Sequence, residues 1–284
     1  MIKIHQYAIV FEMNPKNKNN ISKLIPRIVF IIFILALALR ASHISTEYEL
    51  LEQAMKIETE KKNYLTGRFD PSTREDFILV SLENTFGASP MYLLRETNEA
   101  FILMREAAKK DGVDLKIASA TRNFEDQKNI WNEQWIDVPA PDEKEIAQNI
   151  PEGLRRFRKI LKFRSAPGTS RHHFGTDLDI NRVNPLFANS FRDKDAREQI
   201  YAWLVKNAAE FGFCQTYTPK GAERETGYSE ERWHWSYVPL SRIFTQEYKN
   251  LIKPEDISGF LGDEYAESED LINKYVLSIN PECL

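Results

Sequence analysis

The sequence predicts an α+β fold in which helices pack on a small, mainly antiparallel sheet. Three observations carry this. Helical patterning comes first in the folded region. Three short stretches rich in aromatic and β-favouring residues, TDLDI, FGFCQTYT and WHWSYVP, follow in the second half, interleaved with helix. A balance of 42% hydrophobic to 28% charged residues, with no internal repeat, suits a chain with a well-packed core.

The chain opens differently. Lys16, Lys18, Lys23 and Arg27 precede an unbroken apolar run from Ile28 to Leu39, closed by Arg40. Such a run makes about 18 Å of helix against a hydrocarbon core of about 30 Å, which favours the apolar segment of a signal peptide over a full span. Ala36-Leu37-Ala38 offers a small-x-small cleavage site. Arg40 just beyond it, and Leu24-Ile25-Pro26 extending the run, fit an uncleaved anchor instead. Residues 1–41 are read as one or the other, and a buried core helix is the third reading. Of the 38 basic and 42 acidic residues, six and one fall in this stretch, so the remainder is clearly acidic. An exported acidic domain is a poor partner for nucleic acid.

Residues 42–66 read as a polar helical stalk, and TGRFDPST has the turn chemistry of a domain start. The folded domain is assigned to 67–248. MYLLRETNEAFILMREAAKKDG has helical apolar spacing and stops at Gly112. DLKIASA reads as a strand, and NFEDQKNIWNEQW as a helix capped by Asn123. A Pro-rich loop (IDVPAPDEKE), a basic helical piece (EGLRRFRKILKF) with a solvated face and the turn Ala166-Pro167-Gly168 come next. REQIYAWLVKNAAEFG is an amphipathic helix ending at Gly212, and residues 249–284 form a helical extension. Cys214 and Cys283 could pair in an oxidising compartment, but Cys214 lies in the apolar run FGFC and reads first as a buried thiol.

The chemistry concentrates in two places. SRHHFGTDLDI places His172, His173, Asp177 and Asp179 around Gly175, and EERWHW gives Glu231-x-x-His234. Two imidazoles and a carboxylate, His172, His234 and Asp179, are the donors zinc takes when one position is kept for water. Glu231 is then the carboxylate beside the metal, placed to move a proton. Each fragment alone is weak, and Glu-x-x-His also occurs in di-iron bundles. Those need two such motifs on helices, and here one lies in a strand-like context. H-E-x-x-H, S-x-x-K, K-T-G and G-x-S-x-G are all missing. A metal hydrolase is the enzyme reading left.

The pattern S-x-H-x-x-G-x-x-x-D followed by E-x-W-H resembles the zinc D-alanyl-D-alanine carboxypeptidases typified by VanY, with VanX as a relative. It is met here by Ser170, His172, Gly175, Asp179, Glu231, Trp233 and His234, preceded by Arg122 and Gln127 in SATRNFEDQ. The match runs from about residue 91 to 240. The resemblance implies a hedgehog-like D-Ala-D-Ala metallopeptidase fold, Zn2+ on His172, Asp179 and His234, and Glu231 as general base that later protonates the leaving amine. It further implies Arg122 holding the scissile carbonyl or the substrate carboxylate, Ser170 and Gln127 in substrate binding, and Gly175 turning the chain into the strand that bears Asp179. The implied substrate is the peptidoglycan stem peptide, cut at its terminal D-alanine. An L,D-carboxypeptidase, a stem-peptide endopeptidase and a non-catalytic wall-binding protein are the alternatives.

The chain departs from the family pattern twice. Asp177 stands where a small residue is frequent, and reads as solvated or salt-bridged in preference to facing the site. Thr121 stands where a tyrosine is usual. His173 is read as a residue behind the ligands or on the surface, and Trp233 and Trp235 as strand-packing side chains.

Overall fold

The computed structural model describes residues 15–87, 89–136, 151, 153–162, 164–181 and 192–284. The Pro-rich loop expected after residue 137 lies outside them. The chain divides into two compact units, one ending at Ile57 and one comprising Glu58–Leu284.

Helix α1, Pro15–Leu65, supplies the first unit. From Pro26 onward it is long and apolar enough, by length and composition, to cross a membrane. The side chains from Ile28 to Leu39 are all exposed, Phe30 by 65%.

In the second unit, the last turns of α1 belong to the domain. Leu65 is fully buried, and the Tyr64 hydroxyl donates to Phe174 O at 2.7 Å. Residues expected to end a stalk thus pack in the core. Strands β1 (Phe77–Leu79) and β2 (Tyr92–Leu94) form a two-stranded antiparallel ribbon. The helix expected from Met91 therefore starts at Arg95, as α2 (Arg95–Lys110). Among the described residues the main sheet has four strands, β3 (Ile117–Ser119), β4 (Asp177–Ile180), β6 (Glu231–Tyr237) and β5 (Phe213–Tyr217), in that spatial order and antiparallel throughout. The expected α+β architecture is present.

Strand periodicity of two sorts the side chains. Leu178, Ile180 and Trp235 join a core with Phe101 and Met104 of α2 and Leu204 of α5 (Arg192–Asn207). Asp177, Asp179, His234 and Ser236 take the other face, with Asp177 paired to Ser236 and Asp179 to His234 in register. A second core, around Trp131 of α3 (Phe124–Ile136), Phe157 of α4 (Leu154–Leu161), Phe174 and Tyr248 of α6 (Val238–Leu251), forms a separate layer. The sheet thus presents one apolar face and one polar face, both buried.

Asn123 caps α3 as expected, accepting from Asp126 N at 2.8 Å while Asp126 accepts from Asn123 N at 3.0 Å. Helix α6 departs from the sequence pattern, because WHWSYVP reads as strand through its proline. Pro239 sits in the first helical turn, where its missing N–H costs nothing. The extension expected to be helical consists of short 3₁₀ and π turns. It packs by burying Ile257, Phe260, Leu271 and Val276. The basic piece does form α4, but Arg156 is buried and donates to Trp135 O at 2.9 Å, so only part of its charge is solvated.

The reading of Cys214 as a free buried thiol is corrected. Cys214 is bonded to Cys283, their Cα atoms 5.7 Å apart. The tail's return makes this possible: Asn280 N donates to Thr216 O at 2.9 Å and Asn280 Nδ2 to Gln215 O at 3.1 Å, laying the terminus along edge strand β5.

Candidate metal centre

His172 lies in a single 3₁₀ turn, Arg171–Phe174, that ends at Gly175 with φ of 75°. That left-handed conformation suits glycine, and a Cβ there would meet the Phe77 ring at 2.6 Å. The turn delivers the chain into β4, whose pleat presents Asp179 directly beside His234 of β6. Ligand atoms of His172, Asp179 and His234 lie within 4.8 Å of one another, and all three residues are buried.

Each imidazole has one nitrogen committed elsewhere. His172 Nδ1 donates to Ala120 O at 2.8 Å, which leaves Nε2 facing Asp179 Oδ1 at 3.4 Å. Among the described residues, neither of those two facing atoms has a hydrogen-bond partner. His234 Nε2 contacts Asp177 Oδ1 at 3.0 Å, and Nδ1 faces Asp179 Oδ1 at 3.5 Å. Two ligands about 2.1 Å from a shared tetrahedral ion sit about 3.4 Å apart. The donor types, the orphaned buried lone pairs and these separations all fit zinc.

Glu231 Oε2 lies 3.3 Å from His234 Nδ1. Residues three apart on a regular strand point to opposite faces. The pairing of β5 with β6 explains the exception: Gln215 is opposite Trp235, yet Tyr217 is opposite Glu231, so β6 carries extra residues between those pairs. This bulge turns Glu231 back to the metal side. Glu231 remains partly exposed, its side chain at 22%.

Burial acts on His172, Asp177, Asp179 and His234. It lowers His172, helped by the charge of Arg122. Burial opposes charge on Asp177 and Asp179, yet both carboxyls lie well below the usual range: Arg171 overcomes it for Asp177, and His172 and His234 for Asp179. In His234 burial is outweighed by the hydrogen bonds to Asp177 and Glu231, which push the metal-free imidazole up to about 9.

A cavity of about 270 Å³ opens over this cluster, lined by Arg122, His172, Asp179, Glu231 and His234. Gln127 also lines it, with Nε2 donating to Ser165 O at 2.7 Å. Ser170 is 2% exposed and is not part of the lining. Tyr217, Tyr228, Glu133 and Arg164 also line the cavity and lie outside the sequence motifs; their common signal, a polar side chain near a motif only in space, is invisible along the chain. Trp235 packs in the core as expected, 3% exposed. Trp233 does not: it lines this cavity and a neighbouring one of about 370 Å³.

His173 is fully buried behind the site. Gly168 N donates to its Nε2 at 3.1 Å, so Nδ1 carries the proton and donates to Arg122 O at 2.7 Å. Arg122 N in turn donates to His172 O at 3.2 Å. The adjacent histidines therefore clip the Ala120–Arg122 segment to the metal turn, His172 through Ala120 O and His173 through Arg122 O.

Sheet, turn and donor set together define a candidate metal centre with a carboxylate, Glu231, beside it. Residues 90–240 match the family model for VanY, D-alanyl-D-alanine carboxypeptidase, and the chain belongs to that family. It is 33% identical over 159 residues to a D-alanyl-D-alanine carboxypeptidase of Enterococcus faecalis (strain ATCC 700802 / V583), covering 52% of each chain. It is 29% identical over 181 residues to YodJ of Bacillus subtilis (strain 168), covering 63% of this chain and 58% of that one. The chain thus spans between half and three fifths of the length of these curated relatives. Among solved structures it is similar to the LD-carboxypeptidase LdcB, with 25% identity, a TM-score of 0.44, and coverage of 66% of this chain and 81% of that one.

Proposed function

We propose that this chain is an exported zinc-dependent peptidase that removes the terminal D-alanine from peptidoglycan stem peptides. One observation carries the reading: buried, unshared lone pairs on His172 and Asp179 converge with His234 at the floor of a polar cavity, and Glu231 stands at its edge. Family membership supports the substrate class. The apolar helix and the Cys214–Cys283 bond support a compartment across a membrane, where disulfides persist.

Zinc, held by His172, Asp179 and His234, would supply a Lewis acid and an acidified water. The chain's residues do the rest. Glu231 takes a proton at its carboxylate and returns it to the leaving amine. Arg122, on the cavity wall, offers fixed positive charge to the substrate carboxylate or to the oxygen that gains charge, in a site where little water competes. Gln127 fixes the wall by holding Ser165.

The test is mass spectrometry of defined tetrapeptide and pentapeptide muropeptides incubated with the zinc-loaded full chain, with Glu231→Gln alongside. Loss of one alanine from the pentapeptide alone, reduced by about 10²–10⁴-fold in Glu231→Gln, is the expected result. Loss from the tetrapeptide would identify an L,D-carboxypeptidase, and internal fragments an endopeptidase. A chain that binds no zinc and leaves both substrates intact would sink the reading.

A further inference from the structure

Behind His234, on the side away from the cavity, lies a fully buried ion pair. Asp177 accepts from Arg171 Nε at 3.1 Å, from Ser236 Oγ at 2.9 Å and from Thr176 Oγ1 at 2.7 Å, besides its 3.0 Å contact with His234 Nε2. Both members of the pair have 0% side-chain exposure. Arg171 is pinned in turn, donating to Ser236 Oγ at 3.1 Å and Thr245 Oγ1 at 2.8 Å. A buried pair of this kind contributes little to stability against an apolar substitute, so its presence calls for another explanation.

The geometry supplies one. An ionised carboxylate only accepts hydrogen bonds, so the hydrogen in the Asp177 contact sits on His234 Nε2. A neutral His234 then has a bare lone pair on Nδ1, the nitrogen that faces Asp179 and Glu231. His172 has its tautomer fixed by a neutral backbone carbonyl, Ala120 O. His234 lies within β6 opposite Asp179 of β4, and a side chain from that paired strand, Asp177, does the same work. A bare carboxylate there would add negative charge to a centre that already holds Asp179 and Glu231. Arg171 cancels it.

We propose that the Asp177–Arg171 pair is the positioning device of this metal centre: Asp177 locks the His234 ring with Nδ1 toward the ion, and Arg171 keeps the added charge neutral. The inference rests on the zinc reading above. Neither residue lines the cavity, so the role is exerted through His234.

The test uses the full chain with zinc alone, titrated against a competing chelator, and ¹⁵N spectra of the zinc-loaded histidines. In the wild type, His234 should show a metal-bound Nδ1 and a protonated Nε2. Asp177→Asn should weaken zinc binding by about 10–100-fold and shift the His234 ring resonances. Because that variant strands a buried arginine, Arg171→Gln with Asp177→Asn is made as well. It should fold and show the same loss. Wild-type affinity in the folded double variant, weakened binding with unmoved His234 resonances, or a wild-type His234 bound through Nε2 would each overturn the proposal while leaving the zinc reading intact. A wild type that binds no zinc overturns both. If neither variant folds, the wild-type spectrum decides.

Discussion

His173 Nδ1 and Arg122 O are joined by a 2.7 Å hydrogen bond, which ties a buried, uncharged imidazole to the backbone of the cationic residue on the cavity wall. His173→Phe keeps the ring's bulk and removes this bond and the one from Gly168 N. Stranding two buried backbone groups at about 1–3 kcal/mol each predicts a stability loss of about 2–6 kcal/mol by urea titration. Peptidase turnover should fall further than zinc affinity, because Arg122 is released and the ligands are not.

The same histidine predicts acid sensitivity. Burial, opposed by the hydrogen bond to Arg122 O and aided by the charge of Arg122, holds its imidazole down at about 3 in the folded protein, against 6.5 ordinarily. The unfolded chain therefore takes up the proton first as pH falls. The stability this group confers is complete above 6.5 and is lost on descent toward 3, at about 1.4 kcal/mol per pH unit. Urea titrations between about pH 4 and 7 should show this slope in the wild type and a shallower one in His173→Phe.

His234 sets the opposite sign for metal binding. In the metal-free protein its imidazole titrates at about 9, so at pH 7 both ring nitrogens carry protons. Zinc must displace the one on Nδ1, while His172, lowered by burial, has none to give. Calorimetry at pH 7 in buffers of different ionisation enthalpy should report release of about one proton. Zinc affinity should rise about tenfold per pH unit up to about 9 and flatten above it.

Gly175 couples fold to site. Its φ of 75° and the 2.6 Å approach of the Phe77 ring to any Cβ at this position leave no room for a side chain. Gly175→Ala combines a left-handed penalty of about 1–2 kcal/mol with an overpacking cost of about 1–3 kcal/mol. A denaturation midpoint within error of the wild type would contradict this account.

The candidate metal ligands are legible because histidine is rare here, five in 284 residues, and His172 and His234 stand with Asp179 at motif spacing; β4's pleat then fixes which face Asp179 takes. What governs Glu231 is not legible. Its reach to His234 depends on a bulge created by pairing with β5, which no local pattern marks. The same holds for Asp177, whose partners His234 and Ser236 meet it only once β4 and β6 are paired. Trp233 and Trp235 read alike in sequence and part company because the sheet's core ends between them. The terminal turns misread as helix because their apolar residues are spaced to fill gaps in an existing core, not to face one side of a rod.

The disulfide gives the last prediction. Cys214 and Cys283 are 69 residues apart in sequence, and cross-linking so long a loop removes unfolded-state entropy worth about 4 kcal/mol in the chain-entropy model. The bond also holds the terminus against β5, whose partner β6 carries Glu231 and His234. Cys214→Ser with Cys283→Ser should lower stability by about 2–4 kcal/mol, and reductant should reproduce the loss in the wild type but not in the variant. Zinc affinity should change little, since Asn280 still bonds Thr216 O and Gln215 O and keeps the tail in place. A variant as stable as the wild type would mean that these hydrogen bonds alone secure the terminus.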